Sequence, residues 1–200
     1  MASSPIEASV EASFWSHEGP WTEADYLSLP DEWRRVELLD GALLVNPSPT
    51  TRHQRLSSRL WLVLESRRPA GMEILEAVNV RVAPERILIP DLVAVRASEE
   101  DQKVLDAADV ALAVEIVSPG SVAADRAIKP QLYAAAGIPT YVRIELSTRV
   151  PVAATFHLEG GRYVPAPEAA VGSVLRLTRP FAAEVDLAAL LHVERAQVEE

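Results

Sequence analysis

Val110-Ala111-Leu112-Ala113-Val114-Glu115-Ile116-Val117-Ser118 is an apolar run of strand length with one carboxylate near its end. Alternating small and branched residues with no polar face suggest a strand covered on both sides. An earlier run, Ile87-Leu88-Ile89-Pro90-Asp91-Leu92-Val93-Ala94-Val95, has the same character and also carries one acid. A carboxylate costs several kcal/mol to bury unpaired, so both acids need partners. Blander readings stand beside this one. Asp91 can cap a strand end after its proline, and Glu115 can face solvent from an open sheet face.

Outward from these runs the chain alternates helix and strand signals. Thr22-Glu23-Ala24-Asp25 has a capping residue and first-turn acids, which predicts a helix ending near Pro30. Residues 35–39 and 42–45 predict a hairpin around Asp40-Gly41, a pair suited to the positive φ angles of a tight turn. His53 to about Arg68 places Leu56, Leu60, Val63 and Leu64 on one helical face. Residues 72–82 and 86–95 read as a hairpin, 98–106 as a polar stretch, and 122–136 as holding a helix that stops at Gly137. Residues 139–145, 150–158, 162–164 and 173–177 complete the strands, and a short helix lies near 186–192. The order predicts an α/β (α+β) fold, a mixed sheet flanked by helices. One domain spans 19–195, between loose tails at 1–18 and 196–200.

Composition bounds the function. The net charge of −10 argues against a protein that grips nucleic acid mainly by neutralising phosphates. There is no cysteine, which excludes disulfides and zinc–thiolate sites and fits a cytoplasmic protein. No apolar run approaches the ~20 residues of a membrane span, and the N-terminus lacks a signal-peptide pattern. Of the 19 basic residues only Lys103 and Lys129 are lysine, so lysine at 129 is not the chain's habitual cation.

Two carboxylates on neighbouring strands can hold a divalent ion. Mg2+ prefers hard oxygen ligands, commonly one or two carboxylates plus water, and it both activates water and offsets phosphoryl charge. A lysine within reach then serves the charge or proton chemistry of phosphodiester cleavage. Asp125 and Lys129, four residues apart, equally make an ordinary helix ion pair worth ~0.3–0.5 kcal/mol. Arginines 52, 55, 59, 67 and 68 suit either a solvated helix face or a phosphate-contacting surface.

The series Val36-Glu37-Leu38-Leu39-Asp40-Gly41, Pro47-Ser48-Pro49 with His53, Ile89-Pro90-Asp91, Glu115-Ile116-Val117-Ser118-Pro119, then Asp125, Lys129, Tyr133 and Gly137 resembles the Uma-two family. These are bacterial endonucleases of the PD-(D/E)xK class, and the resemblance covers roughly residues 20 to 192. It implies a restriction-endonuclease-like fold, Mg2+ (with Mn2+ as a substitute) as cofactor, and DNA as substrate. It also implies Asp91 and Glu115 as metal ligands, Glu37 as a residue completing the metal site, and Lys129 as the catalytic lysine. His53, Asp125 and Tyr133 become accessory residues. By analogy with two-fold nucleases, a homodimer is expected.

The chain departs from the pattern in places. The class usually places its lysine two residues after the second acid, and here that residue is Val117. Gly120 replaces the usual serine, and the strand after Gly137 lacks the family's tryptophan, with Glu145 near the place of an aspartate. Pro130 follows Lys129 and disfavours a helical conformation there, so the helix is expected to begin or bend at Pro130. A catalytically inactive nucleic-acid or protein-binding module on the same fold is the rival reading.

Overall fold

The computed structural model describes residues 17–30, 35–118, 122–146, 149–167 and 173–193; the expected tails and Gly120 lie essentially outside them. Its centre is a six-stranded sheet, in the order β11-β10-β9-β8-β6-β3. The strands are β3 (Met72–Glu76), β6 (Leu92–Arg96), β8 (Val110–Val117), β9 (Thr140–Glu145), β10 (Val152–Glu159) and β11 (Arg162–Pro165). Only the β8–β9 pair is parallel in this sheet, and its crossover carries the helix predicted within 122–136. A parallel neighbour cannot be reached by a tight turn, so the crossover helix must lie over a sheet face.

A second sheet has the order β2-β1-β5-β4-β7. Its strands are β1 (Val36–Leu39), β2 (Ala42–Val45), β4 (Val80–Ala83), β5 (Arg86–Leu88) and β7 (Leu105–Asp106). Asp40 and Gly41 take positive φ, 51° and 83°, as the hairpin reading requires. Helix α1 (Glu23–Leu27) starts at a capping box between Thr22 and Asp25 and buries Tyr26 against Val36, Leu38 and Ile87.

The hairpin expected over 72–95 needs correction. Its register is continuous, with Met72 opposite Arg96, Glu76 opposite Leu92 and Val80 opposite Leu88. The strands nevertheless break at 77–79 and 89–91, so the outer halves join the central sheet and the inner halves join the second. Ala77 at φ 51° and Pro90, which has no N–H to give a ladder, account for the breaks. Asp91 therefore sits at the point where the chain passes between sheets. Two short strands also escaped the sequence reading, β7 within the polar stretch and β13 (Ala183–Asp186), which pairs with β12 (Val174–Leu177).

Helix α2 (Thr51–Arg67) packs on one face of the central sheet. Leu56, Leu60 and Leu64 meet Leu112, Val114 and Ile116 of β8 and Val142 and Ile144 of β9 in one buried cluster, closed by Leu187 of α4 (Leu187–Leu191). Each such leucine contributes about 1.5–3 kcal/mol by leaving water. The alternate β8 residue Ala113 faces the other way, into a cluster with Tyr133, Ile138 and Tyr141. That is the face over which α3 (Lys129–Ala135) lies, and Glu115 shares it by strand alternation.

The candidate active site

Glu115 is 2% exposed, so the solvated-face reading fails. Its Oε1 accepts hydrogen bonds from the Tyr133 hydroxyl at 2.6 Å and the Lys129 ammonium at 3.1 Å. Lys129 and Tyr133 stand four apart on α3 and so reach down together onto one strand residue. Burial pushes the Glu115 carboxyl well above the usual range, Lys129 opposes this, and the charges of Asp91, Asp125 and Glu37 add to it.

Pro130 does not displace the lysine. Residues Ala124–Ile128 form a π-helical turn, and α3 begins directly after it with Pro130 in its first turn. There a proline has no helical N–H obligation. Lys129 stays helical, at φ −57° and ψ −43°, against the preference for extended backbone before proline. The widened turn absorbs the conflict, a device that recurs at functional sites. It brings Asp125 Oδ1 to 3.7 Å from the ammonium.

Glu37, on β1, is 1% exposed, which rules out the solvent face of its hairpin. Its Oε1 lies 2.9 Å from Lys129 Nζ and accepts the Ile89 N–H at 2.7 Å. Three carboxylates thus surround one ammonium. Burial alone works to strip the lysine of its proton, but Glu115, Glu37 and Asp125 outweigh it, and the amine's pKa rises. Lys129 is therefore a cation at neutral pH, a source of positive charge and not of a free base.

Asp91 lies just before β6, and its Oδ2 accepts the Ile116 N–H of β8 at 2.7 Å. The strand partner ends at Leu92, opposite Val114, and the side chain serves as main-chain acceptor beyond that end. The strand-end reading of Asp91 is thus satisfied by one oxygen. The other, Oδ1, lies 3.3 Å from His53 Nε2. Thr50 caps α2 by accepting the His53 N–H, which sets His53 in the first turn with its ring toward Asp91. Burial acts to lower the imidazole pKa, but the hydrogen bond and charge of Asp91 prevail, and the net shift is upward.

Asp91, Glu115, His53, Asp125 and Lys129 line one cleft of about 400 Å³. Glu37 and Tyr133 are not in its lining and stand behind it. Glu76 is a lining acid that the sequence reading missed, held by the Ser57 hydroxyl at 3.0 Å. Its register opposite Leu92 was the available signal, since this puts it beside Asp91. Two of the clustered arginines of α2 are tied to main-chain carbonyls. Arg52 donates to the carbonyls of Leu146 and Arg149, and Arg59 to those of Leu190 and His192.

Among the described residues no three His, Asp or Glu side chains form a metal cage. Asp91 and Glu115 present a two-carboxylate edge to an open cleft, a donor set of hard oxygens that suits Mg2+, an ion that keeps several waters. The surrounding acids Glu37, Glu76 and Asp125 outnumber the lysine, and this excess negative charge favours a divalent ion.

No helix among the described residues is long and apolar enough to cross a membrane. Comparison with curated proteins yields no match. Among solved structures, the chain is similar to a "putative nuclease belonging to DUF820" from Anabaena variabilis ATCC 29413. The TM-score is 0.69 at 16% identity, covering 86% of this chain and 100% of that one. The mixed α+β architecture is restriction-endonuclease-like. A family model matches residues 23–190 and includes every residue of the cleft described above, so the chain belongs to the Uma2 (Uma-two) family, described as "Putative restriction endonuclease".

Proposed function

We propose that this protein is a metal-dependent endonuclease that hydrolyses phosphodiester bonds in DNA, with Mg2+ held by Asp91 and Glu115 and Mn2+ able to replace it. The supporting observation is the convergence of these two carboxylates and a charged lysine in one cleft, with Lys129 Nζ 3.1 Å from Glu115. When bound, the ion supplies a polarised water and compensates the charge of the phosphoryl oxygens.

The chain's own residues do the rest. Ile116 N–H and His53 hold the two oxygens of Asp91. Tyr133 and Lys129 fix Oε1 of Glu115. The Lys129 ammonium donates to the phosphorane-like oxygens as their charge develops, and stays protonated throughout. Glu37, the residue expected to complete the metal site, lies outside the cleft lining and serves this reading by anchoring the lysine from behind. Preorganisation of this kind matters because charge stabilisation is strong only in a site that need not rearrange.

The rival, an inactive binding module, loses one of its two supports, since Pro130 leaves Lys129 in place; the acidic net charge remains. Cytoplasmic location and action as a homodimer, which would let a two-fold enzyme cut both strands, belong to the proposal. The test is plasmid nicking in Mg2+ by the wild type, Asp91→Ala and Glu115→Ala. Nicking by the wild type alone supports the reading. Equal nicking by all three places the activity elsewhere or in a contaminant.

A further inference from the structure

Among the described residues the cleft lining contains one lysine and one arginine, and they differ in situation. Lys129 lies at the floor, with Glu37, Glu115 and Asp125 all within 3.7 Å of its ammonium. Arg35 lies exposed at the rim, immediately before β1. Its main-chain carbonyl accepts the Asn46 N–H at 2.8 Å, which closes the open end of the β1–β2 hairpin and fixes the arginine at the cleft edge. Its guanidinium donates to the Pro47 carbonyl at 3.3 Å, and among the described residues it forms no ion pair with a carboxylate.

The lining mixes uncharged and acidic residues. Asn46 and Pro47, both bonded to Arg35, are uncharged, as are Pro49 and Gln54, and the lining acids are Glu76, Asp91, Glu115 and Asp125. A nucleic acid approaching a chain of net charge −10 meets net repulsion. Among the described residues of the lining, Arg35 is the cation whose charge no carboxylate matches, which makes it the natural first contact, and guanidinium geometry suits phosphate oxygens.

We infer that Arg35 is a substrate-positioning residue that binds a backbone phosphate of the nucleic acid at the rim of the cleft, next to the phosphate being cut. This rests on the nuclease reading above and adds to it a contact outside the carboxylate–lysine set.

The experiment is fluorescence anisotropy of a labelled DNA duplex over a series of salt concentrations, with Ca2+ in place of Mg2+. It compares the wild type with Arg35→Gln, Arg35→Lys and the control Arg96→Gln, which removes an arginine charge on β6 away from this cleft. Gln retains a donor for the Pro47 carbonyl, so the loss it reports is of charge. The expected result is a rise in Kd of about tenfold or more for Arg35→Gln. The log–log salt slope should shrink by about 0.9, the value for one phosphate contact, while Arg35→Lys keeps the slope and Arg96→Gln matches the wild type. An Arg35→Gln protein with wild-type affinity and slope overturns the inference and leaves the nuclease reading standing. Equal affinity losses for Gln and Lys with unchanged slopes also overturn it, because they mark a purely structural arginine. A folded wild type that binds no duplex at any salt removes both this inference and the nuclease reading on which it rests.

Discussion

The two faces of strand β8 differ in what they are built to do. Toward α2, Leu112, Val114 and Ile116 enter a dry apolar cluster with Leu56, Leu60 and Leu64. Toward α3, Ala113 lies among aromatic rings and Glu115 lies against Lys129 and Tyr133. One strand of eight residues therefore carries apolar core on one side and, on the other, the buried charge on which the proposed chemistry rests. The apolar face gains free energy from area removed from water. The other face commits buried charge that would be costly without its partners.

Substitutions on the two faces should separate. Lys129→Met acts on the chemical face and should lower nicking by ~10²–10³-fold, as when a preorganised donor is lost from a transition-state site. It should also destabilise the protein, because Glu37 and Glu115 lose their shared counter-charge; urea unfolding without metal is the check. Leu60→Ala acts on the apolar face and should cost about 2–5 kcal/mol of stability. Nicking per folded molecule should stay at the wild-type rate. A large fall in specific activity for Leu60→Ala would erase the distinction between the faces.

Tyr133→Phe removes one hydrogen bond to a buried carboxylate and keeps the ring in its cluster. A loss of about 1.5–3 kcal/mol in stability is expected, read by the same unfolding assay. The smallest effect is alkaline. All four tyrosines are shifted upward, with burial the leading cause, and Tyr26 is pushed up from 10.0 to about 12. A folded pKa above the unfolded value gives stability that is complete below pH 10 and is lost as pH rises through the folded value. Tyrosinate absorbance should therefore stay flat near pH 10 and rise only toward pH 12 and beyond, together with unfolding. A clear step near pH 10 in the folded protein would show that these rings are not shielded.

Much of this contrast was legible in the sequence, because strand alternation and helical spacing are short-range signals. The apolar run around Glu115, the Leu56–Leu60–Leu64 stripe and the Asp40-Gly41 turn all took the local structures read from them. The division of the 72–96 hairpin between two sheets was not legible. The reading of Asp91 as a strand-end residue after Pro90 allowed a break, but which sheet each half joins depends on pairings made far along the chain. Glu76 was within reach, because the register of that hairpin sets it opposite Leu92 and so beside Asp91. Lys129 shows the opposite limit. The local rule for a residue before proline pointed away from a helix, and the three carboxylates from β1, β8 and the π-turn hold the lysine in place regardless.

The central claim is that the chemical face of β8 and the end of β6 together bind a divalent ion. Calorimetric titration with Mn2+ tests this directly on the wild type and on the double variant Asp91→Asn, Glu115→Gln, with circular dichroism to establish that both are folded. The account predicts saturable binding by the wild type that the double variant loses. Equal binding by both proteins, or none by a folded wild type, would contradict it.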